Sequence, residues 1–159
     1  MRTGFISRLK SLFTKQRMAL VDALPVSSAS HQEKTDEIIY LEFTRCEKVD
    51  RHYFLLAKVT EAYKKRHDST IWKNQCLEYG ATHMDELPTL IPAVIKSSGG
   101  LTPTVPTIAF FSTVLAEDGR FQEAIAACEI GILLGLRDGT KSCYEGRIKR
   151  ITKRSSKEK

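Results

Sequence analysis

Between Pro103 and Leu136 the chain carries two apolar stripes at helical spacing, parted by a turn, and no other stretch limits the fold as tightly. Ile108, Phe111 and Leu115 recur at three and four residues, the period of one helix face. After Asp118-Gly119 the same period returns in Phe121, Ile125, Cys128 and Ile132. A short turn folds two such stripes face to face. Small residues, Ser112 on the first helix and Ala124 and Gly131 on the second, stand where the two backbones would approach most closely.

The order of these residues resembles a tetratricopeptide (TPR) motif, a repeat of about 34 residues. Ile108 takes the place of the early large residue, Phe111-Ser112 the apolar-small pair, and Leu115 the aromatic that follows. Gly119 is the turn glycine, Phe121 the next aromatic, and Ala124 the small residue of the second helix, with Cys128 and Gly131 after it. Leu136 stands where the motif closes with proline. The resemblance implies an all-α fold of antiparallel helix pairs with a C-terminal capping helix. It also implies a partner groove lined by the first helix, at Pro106, Ala109, Thr113 and Ala116. These are small and uncharged, suited to a partner helix or an extended apolar segment.

The rest of the chain divides into residues 1–24, a linker over 25–34, a helical domain over 35–153 and a basic tail over 154–159. In the first segment Phe5, Leu9, Leu12 and Phe13 share an apolar side, with Arg8 and Lys10 among the cations around it. Such a basic amphipathic helix suits an anionic membrane surface or a partner protein. Thr35-Asp36-Glu37 reads as a helix start, with acids where the helix dipole favours them. A clear helical period comes next in Cys46, Val49, Tyr53, Leu56, Thr60 and Tyr63. Asp68 is the expected cap of the next helix, which places Ile71, Trp72, Cys76, Tyr79 and His83 on one side. Together these two helices make a degenerate TPR-like pair. Pro88 and Pro92 predict a break, leaving residues 87–96 as a separate short segment. Ser142 to Glu145 has the form of a capping box and opens a last helix through about Lys153, with Tyr144, Ile148 and Ile151 inward. The tail beyond it is expected to be disordered.

Composition narrows the chemistry. An apolar content of 42% and a charged content of 28% belong to an ordinary globular chain. The net charge of +6 is uneven: residues 1–34 carry +4, residues 35–140 carry −4 and residues 141–159 carry +6. A nucleic-acid-binding domain concentrates cations on a folded face, so this division disfavours nucleic acid as a partner. The four cysteines form no C-x-x-C pair and read as free thiols of a reducing compartment such as the cytoplasm. Four histidines fall in no zinc spacing, and His83, seven residues after Cys76, reads as a core imidazole with a hydrogen-bond partner. Asp85 and Glu86 are adjacent and point to different sides of a helix, a poor acid/base pair.

The expectation is therefore a non-enzymatic adaptor or scaffold with no catalytic residue, metal or cofactor. It binds a protein partner or a second copy of itself through helix surfaces, in the cytoplasm or at the periphery of a membrane. The alternative is a basic peripheral protein that binds anionic membrane or nucleic acid through its termini.

Overall fold

The computed structural model describes the backbone of residues 31–157 and the side chains of residues 47–157. The basic segment, including Phe5, Arg8, Leu9, Lys10, Leu12 and Phe13, lies outside the described residues. The chain divides into two units, Met1–Thr44 and Arg45–Lys159. The helices pack on one another within the second.

Five helices form the described chain: α1 (His31–Lys64), α2 (Thr70–Ser97), α3 (Pro106–Glu117), α4 (Phe121–Leu133) and α5 (Cys143–Ser155). Among the described residues the fold is all-α, with one isolated bridge between Thr104 and Arg137 that ties the entry of α3 to the exit of α4. Successive helices run antiparallel. His52 meets His83 while Lys65 meets Trp72, and Gly80 meets Phe111 while Lys73 pairs with Asp118. In the last pair Gly131 meets Tyr144 while Arg154 lies over Phe121. The close backbone approaches are those of α2 with α3, α3 with α4 and α4 with α5.

The turns arise from their sequences. Gly119 (φ 71°) ends α3 in the left-handed region, where the N–H of Arg120 donates to Leu115 O at 2.9 Å and that of Gly119 to Ala116 O at 3.2 Å. Gly135 (φ 66°) repeats this at the end of α4, with Leu136 bonded to Gly131 O. Both are Schellman caps, which satisfy the last carbonyls and accept glycine without a Cβ clash.

Several sequence expectations are corrected. α2 is unbroken across Pro88 and Pro92. Each interior proline costs about 3 kcal/mol, but Met84, Leu87, Leu90, Ile91 and Val94 are all buried around them. At about 1.5–3 kcal/mol per buried side chain, that packing outweighs the two prolines. The buried stripe of α1 runs one residue earlier than the period suggests, through His52, Leu55, Val59 and Ala62, and Tyr53 is 54% exposed. Ile71 is also exposed, on the side of α2 opposite Cys76, Gly80 and His83. On α4 the buried residues are Ala124, Ala127, Cys128, Ile130 and Gly131, four of the five small, and Ile132 is left at the exposed edge.

The helix ends differ too. The residue before α2 is Ser69, in extended backbone, and Asp68 instead belongs to the preceding turn, its N–H donating to Lys65 O at 2.9 Å. The capping box at α5 does not form. Ser142 has φ −92° and ψ −4°, where a capping side chain needs extended backbone, and Cys143 enters the helix with φ 46°. At the other end α5 continues through Ser155, so part of the expected tail is helical. The linker expectation fails at its last residues, since His31 to Lys34 are already helical.

Candidate functional site

Two places in the second unit gather polar side chains inside the helical stack, and both draw on α3. The first lies between α1, α2 and α3. His83 Nδ1 is 2.8 Å from Thr107 Oγ1, and His83 Nε2 is 3.0 Å from His52 Nδ1. His52 sits on the buried stripe of α1, His83 on that of α2, and Thr107 in the first turn of α3. Two neutral tautomer sets complete this chain. Either Thr107 donates to His83, which donates to His52, or His52 donates to His83, which donates to Thr107. Each imidazole then carries one ring proton, and protonating both rings at once would set two donors, His83 Nε2–H and His52 Nδ1–H, against each other. Burial accordingly pushes His83 down to about 3, aided by the charges of His52 and Arg51, and holds His52 below its ordinary value.

The order hydroxyl, imidazole, imidazole is that of a nucleophile, its base and an orienting group. Exposure decides what it can do: His83 and Thr107 are 0% exposed and His52 is 1% exposed. Nothing from solvent reaches Thr107 Oγ1 while the helices stay together, so the chain of bonds serves to satisfy buried polar groups. Above it, Arg51 and Glu86 form a two-bonded ion pair at 2.8 and 2.9 Å across the exposed side of α1 and α2.

The second place lies between α3, α5 and the turn after α4. Arg147 on α5 reaches α3, where its Nη1 donates to Thr113 Oγ1 at 3.0 Å and lies 3.4 Å from Ala109 O. Thr113 Oγ1 in turn donates to Ala109 O at 2.8 Å. On its other side Arg147 Nε is 3.8 Å from Asp138 Oδ2. Asp138 Oδ1 accepts bonds from the N–H and hydroxyl of Thr140 at 2.9 and 2.7 Å. Burial alone would raise the Asp138 pKa, but the Thr140 bonds and the charges of Arg147 and Arg150 prevail and lower it. Asp138 Oδ2, Arg147 Nε and Tyr144 Oη are buried without a hydrogen-bond partner. Burial pushes the Tyr144 phenol well above its ordinary value.

These contacts locate the residues expected from the sequence. Of the groove positions, Ala109 and Thr113 are crossed by Arg147, Ala116 is buried, and Pro106 is half-buried at the start of α3. Of the packing positions, Ile108, Phe111, Ser112, Leu115, Ala124 and Cys128 are buried. Gly119 is exposed in its turn and Phe121 is half-buried beneath Arg154. Burial raises the Cys128 and Cys76 thiols to about 11, so neither is a thiolate at neutral pH. Sequence reasoning reaches His83 but misses His52, Thr107, Asp138 and the span of Arg147. The three-and-four spacing of His52, Leu55, Val59 and Ala62 is the signal available for the first of these.

Among the described residues no group of three or more His, Cys, Asp or Glu could hold a metal ion, and no helix is long and apolar enough to cross a membrane. Comparison of the chain with protein-family models, with curated proteins and with solved structures finds no match.

Proposed function

We propose that the protein is a non-enzymatic interaction module, a TPR-like stack of helices that binds a partner protein, or a second copy of itself, through helix surfaces. The observation that carries this reading is an aromatic pair on the outer side of α1. Tyr53 and Phe54 are 54% and 49% exposed, on the side of the helix away from His52, Leu55, Val59 and Ala62. Arg51 and Lys58 flank the Phe54 ring at 6.0 and 5.7 Å from its centroid. Exposed aromatics beside arginine are the composition enriched at protein interfaces and among their energetic anchors.

The pattern of helix contacts supports the TPR-like part of the proposal. First helices touch first helices: Tyr63 on α1 stacks on Phe110 of α3 at 4.2 Å, and Arg66 pairs with Glu117. Arg147 then ties α5 to α3. Val59, Ala62, Cys76 and Val114 form one cluster from three helices, as stacked units that share a core require. The crossing of Ala109 and Thr113 by Arg147 moves the partner surface in this proposal from the inner side of α3 to the outer side of α1. The burial of Thr107, His83 and His52 favours a packing role over a catalytic one. The free thiols fit a cytoplasmic setting.

The test is site-specific photo-crosslinking of the full chain in its host cell, with the reactive group at Phe54 and, as a control, at exposed Glu78 on α2. A discrete protein adduct at Phe54 and none at Glu78 is expected, and a doubled mass would identify a second copy of the chain. Equal labelling at both positions, or none at either, would overturn the proposal.

A further inference from the structure

The solvent face of α5 has a use separate from the aromatic pair on α1. Tyr144 and Ile151 are buried and Ile148 is half-buried, which seats the helix on the domain by its apolar side. On the other side Lys149, Arg150, Lys153, Arg154 and Lys157 are all exposed. Lys149 to Arg154 succeed one another along about 8 Å of helix, at 1.5 Å per residue, and Lys157 follows in the turn just beyond the helix end. We propose that this face is a docking surface for an anionic lipid membrane.

The arrangement is costly for a helix that only meets water. Lys149 and Lys153, and Arg150 and Arg154, are like charges four residues apart, a spacing that destabilises an isolated helix. A merely solvated face would interleave signs. Here the acid among the described residues of α5 is Glu145, in the first turn, four residues before Lys149. Among the described residues Lys149, Lys153 and Lys157 form no ion pair. Exposed Lys141, just ahead of the helix, adds to the same field. A cluster of about four to eight Lys and Arg on one helix side is the composition that anionic headgroups attract.

Nucleic acid fits the geometry less well. Tyr144, the aromatic residue of α5, is 0% exposed, so it cannot stack on a base. The exposed row also offers no Asn or Gln to read a base edge. It is dominated by lysine, a point charge without the fork that grips a phosphate at fixed geometry. Lipid headgroups move laterally and gather under such a row without register. Because the apolar side of α5 stays in the core, the attachment is electrostatic and does not insert, and salt weakens it.

The experiment is co-sedimentation of the full chain with vesicles of phosphatidylcholine alone and of phosphatidylcholine containing phosphatidylserine. Binding is expected only to the phosphatidylserine vesicles and is lost in high salt. Lys153→Glu combined with Lys157→Glu should weaken it by at least about tenfold, with an unchanged circular dichroism spectrum. Glu145→Lys should strengthen it. Equal binding to both vesicle types, or full binding by the double variant, would overturn the proposal. So would a duplex RNA or DNA that displaces the protein from the vesicles at equal phosphate concentration.

Discussion

The contact between α4 and α5 and the contact between α1 and α2 solve the same packing problem in opposite ways. At the first, Gly131 lets the Tyr144 ring lie against the helix, and a Cβ at that position would stand 2.6 Å from Tyr144 Cε2. Gly80 does the same for Phe111 between α2 and α3, also at 2.6 Å. These contacts are close because one partner has given up its side chain. At the second, both partners are large, and His52 and His83 fill the gap and satisfy each other. Tyr63 and Trp72 pack nearby against the cluster of Val59, Ala62 and Cys76. The contrast shows that steric fit governs the later helices, whereas the protonation state of two imidazoles governs the first pair.

The largest effect that would test this contrast is Ala124→Arg. Ala124 is 0% exposed on the buried face of α4, and an unpaired charge there should cost about 3–5 kcal/mol or unfold the unit. Urea denaturation followed by circular dichroism measures it, and a loss under about 1 kcal/mol would show that the small residues are not close contacts.

Next comes Gly131→Ala. Alanine is the better helix former by about 1 kcal/mol, so an open position would gain stability. Here the ring of Tyr144 must move, and a net loss of about 1–2 kcal/mol is expected from overpacking. Replacing Tyr144 by Leu in the same chain should recover part of the loss in a double-mutant cycle.

The first pair answers to acid instead. In the unfolded chain each histidine titrates near about pH 6.5, while burial holds His83 down to about 3 and His52 below its ordinary value. Between those values the unfolded chain binds more protons than the folded one. Stability is therefore complete above about pH 6.5 and falls as pH drops, by about 1.4 kcal/mol per unit from His83 alone. His83→Gln should lower stability at neutral pH and flatten the slope between about pH 6.5 and 5. An unchanged slope would break the comparison. The smallest effect belongs to the surface, where Lys153→Ala should change stability by less than about 0.5 kcal/mol.

The hairpin of α3 and α4 is legible almost residue by residue, because its stripes, its turn glycine and its small residues act within a few positions of one another. Ile108, Phe111, Ser112, Leu115, Ala124 and Cys128 are all buried. α1 reads as a helix but one residue out of register, since Tyr53 looks more like core than His52 does until His83 is placed beside it. The prolines of α2 mislead for a related reason. Their local cost is visible in sequence, while the buried leucines that offset it count only once the rest of the fold covers them. The groove expected along α3 leaves out Arg147, which arrives from α5, 38 residues beyond Ala109 in sequence.

Helical character, the positions of the turns and the division of charge along the chain come from the sequence by itself. Periodicity, glycine conformation and formal charge are properties of a residue and its near neighbours. Which side of α1 is buried, whether a proline is tolerated and where a polar side chain finds its partner were decided only by tertiary structure. His52 and His83 are 31 residues apart in sequence and 3.0 Å apart between ring nitrogens. Burying a polar group is costly alone and nearly free when paired, so its place in the fold depends on a partner that local sequence does not reveal.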